Sequence, residues 1–164
     1  MQHLENMLAQ LNDVKGEIQN FEPVMFNLFN HDLVYNSLKS YNEERSVAIA
    51  EKRMLQIAVP AESIEQCKKI ILATKSHTEN NDSDTNNFTD ADLSVLGQNW
   101  ESYSCYYKNV RKEYSVYPDL LYNPGCKKVL LHFLSMNRIF KTEYFYNKFE
   151  IAAKENLQKE MEFL

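Results

Sequence analysis

Asn27-Leu28-Phe29-Asn30-His31-Asp32-Leu33-Val34-Tyr35 reads as a helix. Its apolar side, Met25, Leu28 and Phe29, carries an adjacent His-Asp pair into the interior. Neighbouring residues on a helix are rotated by about 100°, so His31 and Asp32 converge only on something lying between their two directions. A divalent metal suits that geometry, because it accepts both an imidazole nitrogen and a carboxylate oxygen. Alone, the doublet is equally the polar end of a helix. Its company sharpens it: His3 lies upstream, and Asp92 downstream inside Asp90-Ala91-Asp92-Leu93.

The composition favours helices. Of 164 residues 44% are apolar, and only three are Gly and four Pro, which points to long helices rather than sandwiches or barrels. That length suits a single domain, 1–164, and ten Tyr and nine Phe give it an aromatic interior. No run of about 18 apolar residues occurs, so no membrane span is expected. The N-terminus lacks the basic segment and apolar core of a secretory signal. Cys67, Cys105 and Cys126 are odd in number and lack metal-type spacing, which reads as reduced thiols in a cytoplasmic protein. A net charge of −5 argues against a broad nucleic-acid surface, but not against a small anionic ligand where a metal reverses the local field.

Along the chain, residues 1–19 form an amphipathic helix with Leu4, Leu8, Leu11 and Ile18 inward and His3 in its first turn. Pro23 falls in the first turn of the second helix, which runs to about Tyr35; Asn36 to Ser40 is a polar connection. A third helix starts at Asn42, capped by Ser40 or Asn42, and buries Val47, Ala50, Met54 and Leu55. Pro60 opens a fourth, with Ile64, Cys67, Ile70, Ile71 and Thr74 at helical spacing and Lys75 and His77 at its end. Glu79 to Asn87 is polar and reads as a surface loop. Phe88 then leads a short helix that Gly97 stops. Trp100 to Tyr117 is a tyrosine-rich helix. Pro118 and Pro124-Gly125 frame a turn before a helix ending near Ser135, whose His132 reads as a core or interface residue. Thr142 caps the last helix, which packs Phe145, Phe149, Ala152 and Leu157 inward and leaves its charges on a solvated face.

Taken in order, these segments resemble the HD superfamily of metal-dependent phosphohydrolases, in one branch known for a predicted activity. The order His, His-Asp, distant Asp is its ligand signature. Gln2-His3-Leu4-Glu5-Asn6-Met7-Leu8 resembles the end of a Tyr-His-x-x-x-His-Ile stretch, and Tyr41-Asn42-Glu43-Glu44-Arg45-Ser46 an Asp-Asn-Glu-Glu-Arg-Ser motif. Ile71 to His77, Asp90 to Gly97, Val110 to Tyr114 and Arg138 to Thr142 are similar to four further blocks. Two departures stand out: relatives carry a helical segment ahead of the point matching His3, where this chain starts two residues before it, and an aromatic where this chain has Asn30.

The resemblance implies an all-α, single-domain helical bundle of the HD-domain type with about six to eight helices. His3, His31, Asp32 and Asp92 would ligate one divalent ion (Mn, Fe, Ni, Co, Zn or Mg). His77 would ligate a second metal, back the ligands or contact the substrate, and Asp90 would be a cap, an outer acceptor or an additional ligand. Glu43 or Glu44 would manage a proton; otherwise both offset the helix dipole. Lys75 and Arg111 would hold phosphoryl oxygens, against a C-terminal dipole match for Lys75 and a surface ion pair for Arg111. The implied reaction is hydrolysis of a small phosphate ester such as a nucleotide, by a cytoplasmic enzyme that contacts no membrane or nucleic acid and is open to homodimerisation. The alternative is a degenerate domain that binds metal or nucleotide without turnover.

Overall fold

The computed structural model of the chain describes residues 2–34 and 41–164. Among these are eight α-helices and no strand: α1 (Gln2–Asp13), α2 (Phe21–Leu28), α3 (Asn42–Gln56), α4 (Ala61–Ala73), α5 (Ser83–Leu93), α6 (Trp100–Glu113), α7 (Asp119–Ser135) and α8 (Glu143–Met161). Short 3-10 turns lie at Lys15–Glu17 and Ser94–Gly97. The chain is thus all-α, at the upper end of the expected six to eight helices. No described helix is long and apolar enough to cross a membrane. The helices group into two compact units, Met1–Asp92 and Leu93–Leu164.

In the first unit, α1 buries Met7 and Leu11, and the stripe continues through Val14 and Ile18 beyond its end. Leu8, expected inward, is exposed, so the apolar face is centred one residue earlier than the leucine spacing suggests. The helix also stops at Asp13 and not near Gln19, giving way to the 3-10 turn that holds Gly16. Across α3 and α4, Ala50 and Met54 pack with Ile64, Cys67 and Ile71, joined by Phe26, Val47 and Val59. Leu55, one residue round from Met54, points outward instead. The N-cap of α3 is Tyr41, without a side-chain cap bond. Ser40, the alternative cap, and the connection at 36–39 lie outside the described residues.

The polar segment 79–87 departs most from its sequence reading. Only its first part is a loop; from Ser83 it is helix α5, with Asp84, Thr85, Asn87, Thr89 and Asp90 all buried. Hydrogen bonds explain how polar side chains occupy an interior, where an unpaired group would be costly. The Asp84 carboxylate accepts from the Gln19 and Asn20 amides, both at 2.8 Å, and from Gln66 Nε2 at 3.2 Å. Asp82 caps the helix by accepting from the Thr85 amide at 3.1 Å. Asp90 therefore sits mid-helix and is no cap.

In the second unit, Phe140, Phe145 and Phe149 form an aromatic group with ring centroids 5.8–6.4 Å apart. Ala153 and Leu157 extend the buried face of α8; Ala152, expected inward, is only half-buried. The solvated-face reading of the α8 charges fails at two positions, because Glu150 and Glu160 are buried. Glu160 accepts hydrogen bonds from the Tyr103 hydroxyl and the Cys126 thiol. Helix α6 ends at Glu113, short of Tyr117. Pro124-Gly125 makes no turn: both residues lie within α7, where Pro124 forgoes one main-chain bond on an exposed face. His132 is exposed and not a core residue.

Gly97 ends the 3-10 turn against α8. A Cβ built there would lie 2.5 Å from Phe149 Cβ, 2.7 Å from its carbonyl oxygen and 2.9 Å from its Cα. Two of these three atoms are backbone, so no rotamer change relieves the clash. Gly97→Ala is expected to destabilise the protein by roughly 1–3 kcal/mol through overpacking. A denaturant midpoint unchanged from wild type would contradict that.

Candidate metal centre

Three segments of the first unit meet at one carboxylate. His31 follows α2, which ends at Leu28 rather than near Tyr35, a residue outside those described. Phe29, expected on the apolar face, is therefore exposed, while His31 is 2% exposed. The last carbonyls of a helix lack partners within it, and here side chains supply them. Asn30 Nδ2 donates to the Phe26 carbonyl at 2.6 Å, and Arg53 donates to Asn30 Oδ1 at 3.1 Å. The His31 amide and ring Nδ1 lie 2.9 and 3.1 Å from the Asn27 carbonyl.

A carbonyl only accepts, so Nδ1 of a neutral His31 carries the proton and Nε2 holds a lone pair. That Nε2 lies 3.8 Å from Asp92 Oδ1 and 3.6 Å from Asp32 Oδ2. It is buried without a hydrogen-bond partner among the described residues. Phe88, one turn before Asp92 on α5, packs edge-on against the His31 ring with centroids 5.5 Å apart and fixes its orientation.

His3, in the first turn of α1, donates from Nε2 to Asp92 Oδ1 at 3.0 Å. One ligand atom each from His3, His31 and Asp92 lies within 4.8 Å of the others. Asp32 is outside that group, and its side chain is 62% exposed. His77 approaches from the far side, its Nε2 donating to Asp92 Oδ2 at 2.9 Å. Its backbone is left-handed, φ 51°, a conformation costing about 1–2 kcal/mol for a residue with a Cβ.

Lys75 is 2.5 Å from Glu44 Oε1 and 4.0 Å from Glu43 Oε2. Glu43 is the more sheltered acid, at 25% exposure against 48% for Glu44. In the second unit, Arg111 donates from Nε and Nη2 to Asp119 at 3.1 and 2.6 Å, and to the Tyr114 and Tyr117 carbonyls at 3.1 Å each. Its guanidinium also stacks 4.6 Å from the Tyr122 ring centroid. The main-chain oxygen of Asn27, which sets the His31 tautomer, had no signal in the sequence, since any residue provides one.

Burial would raise the Asp92 pKa, but hydrogen bonds from His3 and His77, with electrostatic attraction to the His77 and His31 rings, hold it well below the usual carboxylate range. Burial would lower that of His3, yet the bond and charge of Asp92, aided by Asp32, raise it above 6.5. A depressed Asp92 stabilises the fold above its unfolded value of 3.8 and stops doing so as pH falls through its folded value. A raised His3 stabilises below 6.5, and that contribution vanishes as pH rises through its folded value. In chelator-treated protein, the melting-temperature deficit of His3→Ala is therefore expected to be largest between 3.8 and 6.5 and to shrink above that window. A deficit that grew with pH would contradict the assignment.

Comparison with family models, with curated proteins and with solved structures finds no match to this chain.

Proposed function

We propose that this protein is a metal-dependent phosphohydrolase of the HD type that acts on a small phosphate ester. The observation that carries this reading is the meeting of His3, His31 and Asp92 within 4.8 Å, with His31 Nε2 buried and unpartnered. A buried polar atom left without a partner costs about 1–3 kcal/mol, which a cation at that point would offset. The donor set fits a divalent ion, since two imidazoles and a carboxylate suit Mn, Fe, Ni, Co or Zn better than Ca. Three protein ligands also leave positions open.

When bound, such an ion would lower the pKa of a coordinated water and offset charge on the phosphoryl oxygens. His3 and His31 would bind through Nε2 and Asp92 through Oδ1, with Asp32 near enough to His31 to join them from the solvent side. We assign the proton-handling role to Glu43, the more sheltered of the two acids. Lys75 would trade part of its contact with Glu44 for a substrate oxygen. Arg111 is given no role, because its nitrogens are already engaged.

Two measurements on protein purified without chelator test this. Elemental analysis should find about one transition ion per chain, as expected of a preformed site. A screen of phosphomonoesters and phosphodiesters with added Mn should then find turnover. Metal without turnover on any substrate favours a binding module; no metal at all removes the hydrolase reading.

A further inference from the structure

Resting on that reading, we infer that His77 is not a ligand but a positioning residue that keeps Asp92 a one-oxygen ligand. The two carboxylate oxygens of Asp92 are used differently. Oδ1 faces His3 Nε2 at 3.0 Å and His31 Nε2 at 3.8 Å, whereas Oδ2 accepts from His77 Nε2 at 2.9 Å. The residues whose ligand atoms lie within 4.8 Å of one another are His3, His31 and Asp92; His77 is not among them. A hydrogen bond to the second oxygen fixes the carboxylate's rotation and opposes bidentate binding. That keeps one more coordination position open for water or substrate. Outer partners of this kind orient ligands and sustain affinity.

The main chain is arranged to deliver this contact. His77 adopts a left-handed backbone at φ 51°, and its amide donates to the Ala73 carbonyl at 3.0 Å. The segment leaving α4 thus turns back at His77, and the imidazole reaches Asp92 on α5. Asn tolerates this backbone conformation but its side chain is too short to make the same contact. Gln is long enough to donate from an amide.

The test uses the full chain with Mn or Zn, measured by competition with a chelating dye and by elemental analysis at saturation. His77→Asn should weaken the metal by about 10- to 100-fold with the number of ions per chain unchanged, and His77→Gln should recover part of that loss. One ion fewer per chain in His77→Asn would make His77 a ligand and overturn the inference, as would an affinity equal to wild type. Equal loss in both variants would mean that the imidazole shape, not its donated hydrogen bond, matters, and would also overturn it. Wild-type protein that binds no ion removes the metal site and the inference together, whereas wild-type binding with unaffected variants removes only the inference. Melting curves of ion-free variants establish that each is folded.

Discussion

Replacing His31 with Ala is expected to reduce the bound ion from about one per chain to nearly none, and phosphate-ester hydrolysis by on the order of a thousandfold or more. In the proposed centre His31 would be the ligand with no substitute. Its Nδ1 is committed to the Asn27 carbonyl at 3.1 Å, and Phe88 holds the ring edge-on, so Nε2 is preset toward Asp92. Removing one transition-state donor from an enzyme commonly costs about 10²–10³ in rate, and losing the ion removes the nucleophile as well. The Ala variant also leaves a hole beside Phe88, so lost activity alone is ambiguous. Asp92→Asn is the companion, because it keeps the side chain's shape and can still accept from His3, while its carboxylate charge is gone. Both variants should be ion-free, and Asp92→Asn should keep the helical circular dichroism of wild type. A folded His31→Ala protein that still holds one ion per chain would sink the proposed centre.

How far the chain could be read in advance depended on what each helix buries. Helices α3 and α4 were legible because Ala50, Met54, Ile64, Cys67 and Ile71 recur at helical spacing and meet in one core. The first half of helix α5 was not, because Asp84 and Asn87 occupy buried positions and the rule that polar runs are loops holds only where they go unpaired. The end of α2 was misplaced for a related reason. Leu28 and Phe29 look alike in sequence, yet the chain leaves the helix between them, because Asn30 and His31 serve the terminal carbonyls. Candidate ligands could be named, but periodicity contains no information that brings residue 3 to residue 92. Only the ordered resemblance suggested it, and the 3.0 Å His3–Asp92 contact is what the fold adds. Asp32 lies 3.6 Å from His31 Nε2 but is exposed, so it stands at the rim of the cluster and outside the group of three.

Glu150→Ala is expected to destabilise the protein by about 3–5 kcal/mol, a large share of the 5–15 kcal/mol typical of a domain. The carboxylate of Glu150 accepts from the Ile139 amide at 3.1 and 3.0 Å and from the Phe140 amide at 3.1 Å. Both amides belong to fully buried residues ahead of α8, and Glu150 is itself 4% exposed. Truncation leaves two buried donors without acceptors, at about 1–3 kcal/mol each. It also frees the segment that seats Phe140 against Phe145 and Phe149. The ion pair with Lys154 at 2.9 Å contributes little beside this, since the lysine is one-third exposed. Glu150→Gln separates the effects: it keeps one acceptor oxygen and should lose roughly half as much. Glu143→Ala is the control, because that residue's pair with Arg138 is at the surface, 75% exposed on the acid side, and its loss should cost under about 1 kcal/mol. Urea unfolding of the three variants decides the matter. If Glu150→Ala and Glu143→Ala shift the midpoint equally, the buried carboxylate is not what holds the start of α8 in place.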